Sequence, residues 1–399
     1  MKRNLIIFTR DFPFGIGEAA FLIPELAALE KSFAISIICK NITSKQTTPI
    51  SSDISIYRCS SKTKLNLMLL FRVLVNKYFW KEVVSTVIKK RQLLLEICKE
   101  ALSAEQFYIF MKKNRLLHND DTIYYSYWYD QSVLAMAMHK KQIKKSKLIT
   151  RIHRADLYKN QVFRKQVDQY IDKIIFISKA GMKYYLEVNN QKYNQEKHCL
   201  FYLGSDSQYP INYRKSDEVL RIFSCSFLSP VKRVDKIIDV IENIDYPAIQ
   251  WRHIGDGILK KEIESYAEKK LSSKNNISYE FLGYQDNEVV KKHMHEDVID
   301  IFINLSESEG LPVTFMEAMS QGIPVVTNDV GGVSEIVNNK NGIMVQKDTS
   351  PNEIARLILM FKLHENEQGQ KRLAAYNTWK ENFNAKDNYR KFKQFLIRL

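Results

Sequence analysis

Two glutamates, Glu309 and Glu317, stand in the run Glu309-Gly310-Leu311-Pro312-Val313-Thr314-Phe315-Met316-Glu317, where their chemistry would be the holding of a sugar. Each carboxylate oxygen accepts hydrogen bonds, so a pair of them grips vicinal hydroxyls well. The residues between them suit an anion. Gly310 lets the backbone come close to a ligand, Leu311, Val313 and Thr314 can offer N–H groups, and a helix beginning there adds roughly half a positive charge. Taken alone, the pair reads equally well as two surface acids on a solvated helix, because such pairs are common.

The elements that must position the pair follow from the flanking residues. Asp300-Ile301-Phe302-Ile303-Asn304-Leu305 is an apolar run of strand length, followed by a polar turn and a helical pattern opening with Pro312 as its first residue. Gly322 is placed to stop that helix, and Ile323-Pro324-Val325-Val326-Thr327 reads as the next buried strand. Strand, turn, helix and strand leave the helix N-terminus facing a crevice beyond the strand's carboxyl end. Carboxylates beside an anion site there predict a sugar-nucleotide ligand.

Other positions carry weaker signals. Lys232 and Arg233 follow a strand and a turn and lead into a helix, so they could neutralise a diphosphate or simply form a basic turn. Gly15 and Gly17, between the first strand and a helix, suit close backbone approach to a phosphate without completing the dinucleotide fingerprint. His153 lies just past a strand with Arg151 and Asp156 close by, placed to orient a sugar hydroxyl or a leaving group, although a lone histidine is more often structural. His293 and His295 fall on different faces of a polar helix and read as surface, not metal ligands. No Asp-x-Asp occurs, so a diphosphate would be held without a bridging metal, by Lys232, Arg233 and the helix end.

The whole chain bounds the partners. With 399 residues and 45% hydrophobic content, two domains with their own cores are expected. A net charge of +15 and a pI near 9.3 favour acidic partners, while the absence of nucleic-acid-binding signatures argues against nucleic acid. Five scattered cysteines and a charged start, Met1-Lys2-Arg3-Asn4, predict a cytoplasmic protein with reduced thiols. The basic excess concentrates in residues 62–115, where Leu67 to Leu70, Phe71, Tyr78, Phe79 and Trp80 interleave with Arg72, Lys77 and Lys81. Arg72 and Lys77 interrupt any membrane span. The region reads equally as an amphipathic surface for an anionic membrane or as core-facing helices with a solvated basic face.

Along the chain, Leu5–Phe8, Ile35–Ile38, Thr122–Tyr125, Lys147–Thr150 and Lys173–Ile177 alternate with helical stretches and imply a parallel sheet. A polar stretch from Leu203 to Glu218 reads as an interdomain linker. The rhythm restarts with Leu220–Phe223, Trp251–Ile254 and Ile277–Phe281 before the glutamate unit. The expectation is an α/β protein of two doubly wound Rossmann-like domains facing across a cleft.

The run from Glu309 to Pro324, with Val330-Gly331-Gly332-Val333-Ser334-Glu335 and Asn341-Gly342 after it, resembles family 4 of the retaining glycosyltransferases, which have the GT-B fold. The resemblance extends to Leu228-Ser229-Pro230-Val231-Lys232-Arg233-Val234-Asp235, His253-Ile254-Gly255-Asp256-Gly257 and Phe281-Leu282-Gly283. In the first half it is thinner: the Gly15/Gly17 loop, Tyr127-Trp128-Tyr129-Asp130, Arg151 to Tyr158 and Ile177-Ser178. It implies an acceptor-binding domain over 1–205, a donor-binding domain over 206–380, and a last helix over 381–399 crossing back to the first domain.

By that resemblance, Glu317 would bind the donor ribose, Glu309 the donor sugar, Lys232 the diphosphate, and His153 the transferred sugar. The Gly15 to Gly17 loop would approach the phosphates from the acceptor side, and the base would lie near Gly283, Tyr284 and Gln285. Where the family often has an arginine, this chain has Phe227, and Arg233 would supply the second positive charge. The implied activity is a retaining, metal-independent hexosyltransferase with no cofactor, moving a sugar from a nucleotide diphosphate sugar to a glycan or lipid-linked acceptor. Surface-polysaccharide synthesis at the inner membrane face is the implied setting. A sugar-nucleotide epimerase or hydrolase of the same fold, and a silent scaffold subunit of a polysaccharide assembly complex, stand as alternatives.

Overall fold

The computed structural model describes residues 2–15, 17–40, 46–59, 67–87, 93–158, 162–207 and 217–399. The chain divides into two units, Met1–Phe201 with Tyr389–Leu399, and Tyr202–Asn388. The corresponding sequence expectation put the boundaries after 205 and 380. Residues 203–207, read from composition as linker, are instead held in the second unit: the Ser205 N–H donates to the Phe383 carbonyl at 3.0 Å, and Trp379 Nε1 donates to Ser205 Oγ at 3.0 Å. A Cβ on Gly204 would stand 2.5 Å from the Ala385 Cα, so this is a close backbone crossing. Residues 208–216 of the expected linker lie outside the described residues.

The first unit holds a parallel sheet of β1 (Arg3–Thr9), β2 (Phe33–Cys39), β3 (Ser55–Arg58), β4 (Ile123–Ser126), β5 (Lys147–Ile152), β6 (Lys173–Phe176) and β7 (His198–Leu200). Their order is β3-β2-β1-β4-β5-β6-β7. The central strands are apolar on both faces because helices cover both sides, as a parallel sheet requires. Leu5, Ile7, Tyr125 and Ile149 face one core and Ile6, Phe8, Tyr124 and Leu148 the other. Phe392 and Leu396, from the end of the chain, complete the core on the Leu5 side.

The second unit repeats the plan with β8 (Leu220–Cys225), β9 (Ile249–Ile254), β10 (Ile277–Phe281), β11 (Ile301–Asn304), β12 (Val325–Asn328) and β13 (Gly342–Val345), in the order β10-β9-β8-β11-β12-β13. Chain order reverses between β8 and β11. At such a switch point the loops after neighbouring strands diverge and leave a crevice, the usual ligand position in open α/β sheets. Pro312 is the N-cap of the helix Val313–Ser320 and not its first residue, with extended backbone at φ −68° and ψ 125°. Gly322 does end that helix: its N–H donates to the Met319 carbonyl and the Ile323 N–H to the Ala318 carbonyl, both at 3.0 Å.

Candidate functional site

The crevice of the second unit is built from the loop after β8 and the loop after β11, and the two are bonded together. The Glu307 N–H donates to the Val231 carbonyl at 2.8 Å, and Asn328 Nδ2 holds the Leu305 and Ser306 carbonyls at 2.8 and 3.1 Å. On that frame Lys232 Nζ meets Glu309 Oε1 at 2.7 Å, with the Lys232 side chain 22% exposed and that of Glu309 8%. The amide of Asn304 lies 3.5 Å from the same carboxylate oxygen. Gly331 is at φ +60°, and a Cβ there would fall 1.9 Å from the Glu309 carbonyl, so only glycine allows this loop to pass behind the glutamate. The Gly332 N–H donates to the Gly310 carbonyl at 3.0 Å and fixes Gly310 beside it.

Arg233 behaves differently from Lys232. Its backbone is left-handed, at φ +47°, and its guanidinium is bound by Glu307 at 3.0 Å and by Asp235 at 3.0 Å. Two half-exposed carboxylates thus hold its charge, where Lys232 meets one buried carboxylate.

Glu317 is the buried acid of the site. Burial pushes its carboxyl up to about 7, against the pull of the Asn287 amide, which donates to Oε1 at 2.6 Å, and of the Lys291 charge. Beside it lies Cys225 at the end of β8, whose thiol is pushed up to about 12, first by burial and then by the Glu317 charge, with Lys232 opposing. Leu311 is buried, and Val313 and Thr314 form the first turn of the helix, whose leading amides have no intrahelical acceptor. Among the described residues, Pro312 supplies no side-chain cap to them.

The base region expected at Gly283 and Tyr284 lies along the next loops. The Gly255 N–H donates to the Gly283 carbonyl at 2.8 Å, and Tyr284 is 43% exposed. Behind it His253 Nδ1 pairs with Ser224 Oγ at 2.8 Å, and burial lowers this histidine to about 4, so it serves as a neutral strut. Asn287, Asn304 and Glu307 were not found in the sequence. Asn287 and Glu307 act by reaching residues distant along the chain, Asn304 by reaching one five residues on, and no motif marks them.

His153, Gly15 and Gly17 belong to the first unit. His153 follows β5 and stacks on Trp128 with ring centroids 4.4 Å apart. Burial first, then the Arg151 and Arg10 charges, hold it well below the usual histidine range, and its Nε2 has no hydrogen-bond partner among the described residues. Its backbone N–H donates to Asp156 Oδ2 at 3.1 Å, and burial pushes the Asp156 carboxyl up to about 6. The loop carrying Gly15 and Gly17 is held from within: the Glu18 carboxylate accepts the N–H groups of Arg10, Asp11 and Phe12 at 3.2, 2.7 and 2.7 Å, and the Trp128 indole N–H. Among the described residues, no cluster of three or more His, Cys, Asp or Glu could hold a metal ion.

Two Rossmann-like units of parallel sheet, the second with a cation and two carboxylates at its switch point, define the GT-B class of glycosyltransferase architecture. Residues 206–378 match the family model "Glycosyl transferases group 1". An uncharacterized glycosyltransferase of Methanocaldococcus jannaschii is 32% identical over 54% of this chain and 56% of its own length. The O-antigen biosynthesis glycosyltransferase WclY of Escherichia coli is 26% identical over 47% of this chain and 55% of its own. The chain thus spans about half the length of the curated relatives it matches. Among solved structures, Anabaena HepE in complex with UDP and glucose is alike in fold, with a TM-score of 0.68 at 16% identity and full coverage of both chains.

Proposed function

We propose that this protein is a retaining glycosyltransferase that moves a hexose from a nucleotide diphosphate sugar to a hydroxyl of a glycan or lipid-linked acceptor in surface-polysaccharide synthesis. The observation that carries this reading is the Lys232–Glu309 pair at 2.7 Å in the loops of the switch point, with Glu317 on the helix that follows. A diphosphate entering the crevice takes Glu309's place as the partner of Lys232, and Glu309 is then free to accept hydroxyls of the sugar. Glu317, positioned by Asn287, accepts from the ribose. Lys232 and the amides of Val313 and Thr314 stabilise the departing diphosphate, which requires no metal. Arg233 supports the Glu307 loop and contributes little charge. In the first unit His153 offers a neutral Nε2, suited to a sugar hydroxyl.

The test is thermal stabilisation by a panel of uridine, guanosine and adenosine diphosphate sugars, beginning with uridine because HepE was solved with UDP. Product analysis with an excess of chelator follows. Stabilisation by one base, with transfer that survives chelation, supports the reading. No stabilisation by any donor overturns it, as does a product that is only free sugar or epimerised donor.

A further inference from the structure

The helices Leu67–Leu74 and Lys77–Val87 carry apolar residues on two opposite faces. One face is used: Leu69, Val73 and Phe79 are buried, the last two within the first unit's core. The other is bare. Among the described residues, ten of the 22 exposed large hydrophobic side chains fall between Leu67 and Leu95, including Leu67 at 87% and Phe71 at 66%. A core-facing amphipathic helix accounts for the first face and leaves the second unexplained.

Basic side chains interleave with the bare face. Lys77, Trp80, Lys81 and Val84 follow at i, i+3, i+4 and i+7, one exposed stripe of alternating charge and apolar surface. Trp80 Nε1 donates to the Leu74 carbonyl at 2.6 Å, which joins the exposed faces of the two helices into one patch. At their junction opens a cavity of about 390 Å³ whose lining includes Val75, Arg72, Lys77, Lys140 and Lys141. Arg72 is paired with Glu105 at 3.0 Å, and Lys140 with Asp172 at 2.6 Å, whereas Lys77 and Lys141 are exposed at the rim. Val75 and Lys77 belong to both patch and cavity, whose lining also holds Glu105, so apolar surface and a mainly basic cavity are continuous.

We propose that this face docks on an anionic phospholipid bilayer, with apolar side chains of the two helices in the acyl boundary and a lipid phosphate at Lys77 and Lys141. Trp and Phe favour that interfacial depth, and lysine at the rim pairs with headgroup charge. No described helix is long and apolar enough to cross a membrane, so the chain would lie on the surface. The proposal does not rest on the donor site, which lies in the other unit.

The test is co-sedimentation of the full chain with vesicles of phosphatidylcholine alone or with a third phosphatidylglycerol. Binding is expected only to the anionic vesicles. Each lysine near the surface contributes about fivefold, so Lys77→Glu with Lys141→Glu should lower binding by at least about 25-fold. Leu67→Ser with Phe71→Ser should lower it about tenfold or more. Circular-dichroism melting of both variants should match that of the parent and shows that the first unit folds. Equal binding to neutral vesicles, no vesicle binding, or full retention by the lysine variant overturns the proposal. So does release by millimolar inorganic phosphate at constant ionic strength, which would assign the pocket to a soluble anion. A concentration-dependent dimer abolished by Leu67→Ser with Phe71→Ser would assign the face to a second copy and equally overturn it.

Discussion

The two units share one strand order around the centre of the sheet, yet their switch points are chemically opposite. In the first, the chain supplies its own anion: Glu18 accepts three backbone N–H groups of the loop after β1, and Lys40 and Arg10 are tied to Asp130 and Asp156. In the second, the helix after β11 begins without a side-chain cap among the described residues, and Lys232 is held by Glu309. The same topology carries an internally bonded loop in one unit and an uncapped helix start in the other. Anion binding is therefore a property of the loops and not of the fold.

Substitutions at the second switch point should have the largest effect. Lys232→Ala and Glu309→Ala are each expected to lower turnover on the order of a hundredfold or more. Glu18→Gln in the first unit should leave stabilisation by the donor nucleotide unchanged. Near-normal turnover of either second-unit variant, or loss of donor binding on changing Glu18, would erase the contrast.

Glu317 gives a double readout. Its carboxyl sits near 7 in the folded chain, above its unfolded value, so the folded state holds a proton the unfolded state has lost. The linked stability is full at acid pH and is lost as pH rises toward 7. Glu317→Gln should raise the stability of the unliganded protein at pH 8 by about 1–3 kcal/mol while weakening donor binding, measured by denaturant melts and calorimetry. Donor affinity of the parent should fall as pH drops from 8 to 6, because the protonated acid accepts hydrogen bonds poorly. A pH-independent affinity would remove Glu317 from the ribose.

Asn287→Ala should raise the donor KM about fivefold with little change in kcat and shift the acid limb of the pH profile upward, since Asn287 favours the charged carboxylate. Replacement of Arg233 by alanine should be the mildest, within about threefold in turnover, because Glu307 and Asp235 already neutralise it. An effect equal to that of Lys232→Ala would restore Arg233 as a ligand of the diphosphate.

The sheet centres were legible in the sequence because strands buried on both faces read as unbroken apolar runs, as in Leu5–Phe8 and Ile301–Ile303. The edge strands Ser55–Arg58, His198–Leu200 and Gly342–Val345 are not legible in it. Glu309, Glu317 and Lys232 were legible through family resemblance more than through spacing. Their supports were not: Asn287 reaches Glu317 across 30 residues of chain, and the left-handed backbone that turns Arg233 toward Glu307 leaves no trace in residue type. Leu203 to Ser207 looked like linker because glycine and serine signal loops. Gly204 is there for the close passage of Ala385, and Ser205 for Trp379.

The first unit closes with residues from the far end of the chain: Phe392 and Leu396 fill its core, and Arg3 in β1 donates to the Leu396 carbonyl at 3.1 Å. During synthesis, the first unit therefore lacks these two side chains until the second has been made. Of the two units, the one made earlier is completed later, and its seam beside Leu5 and Tyr125 is closed only by the last-made helix.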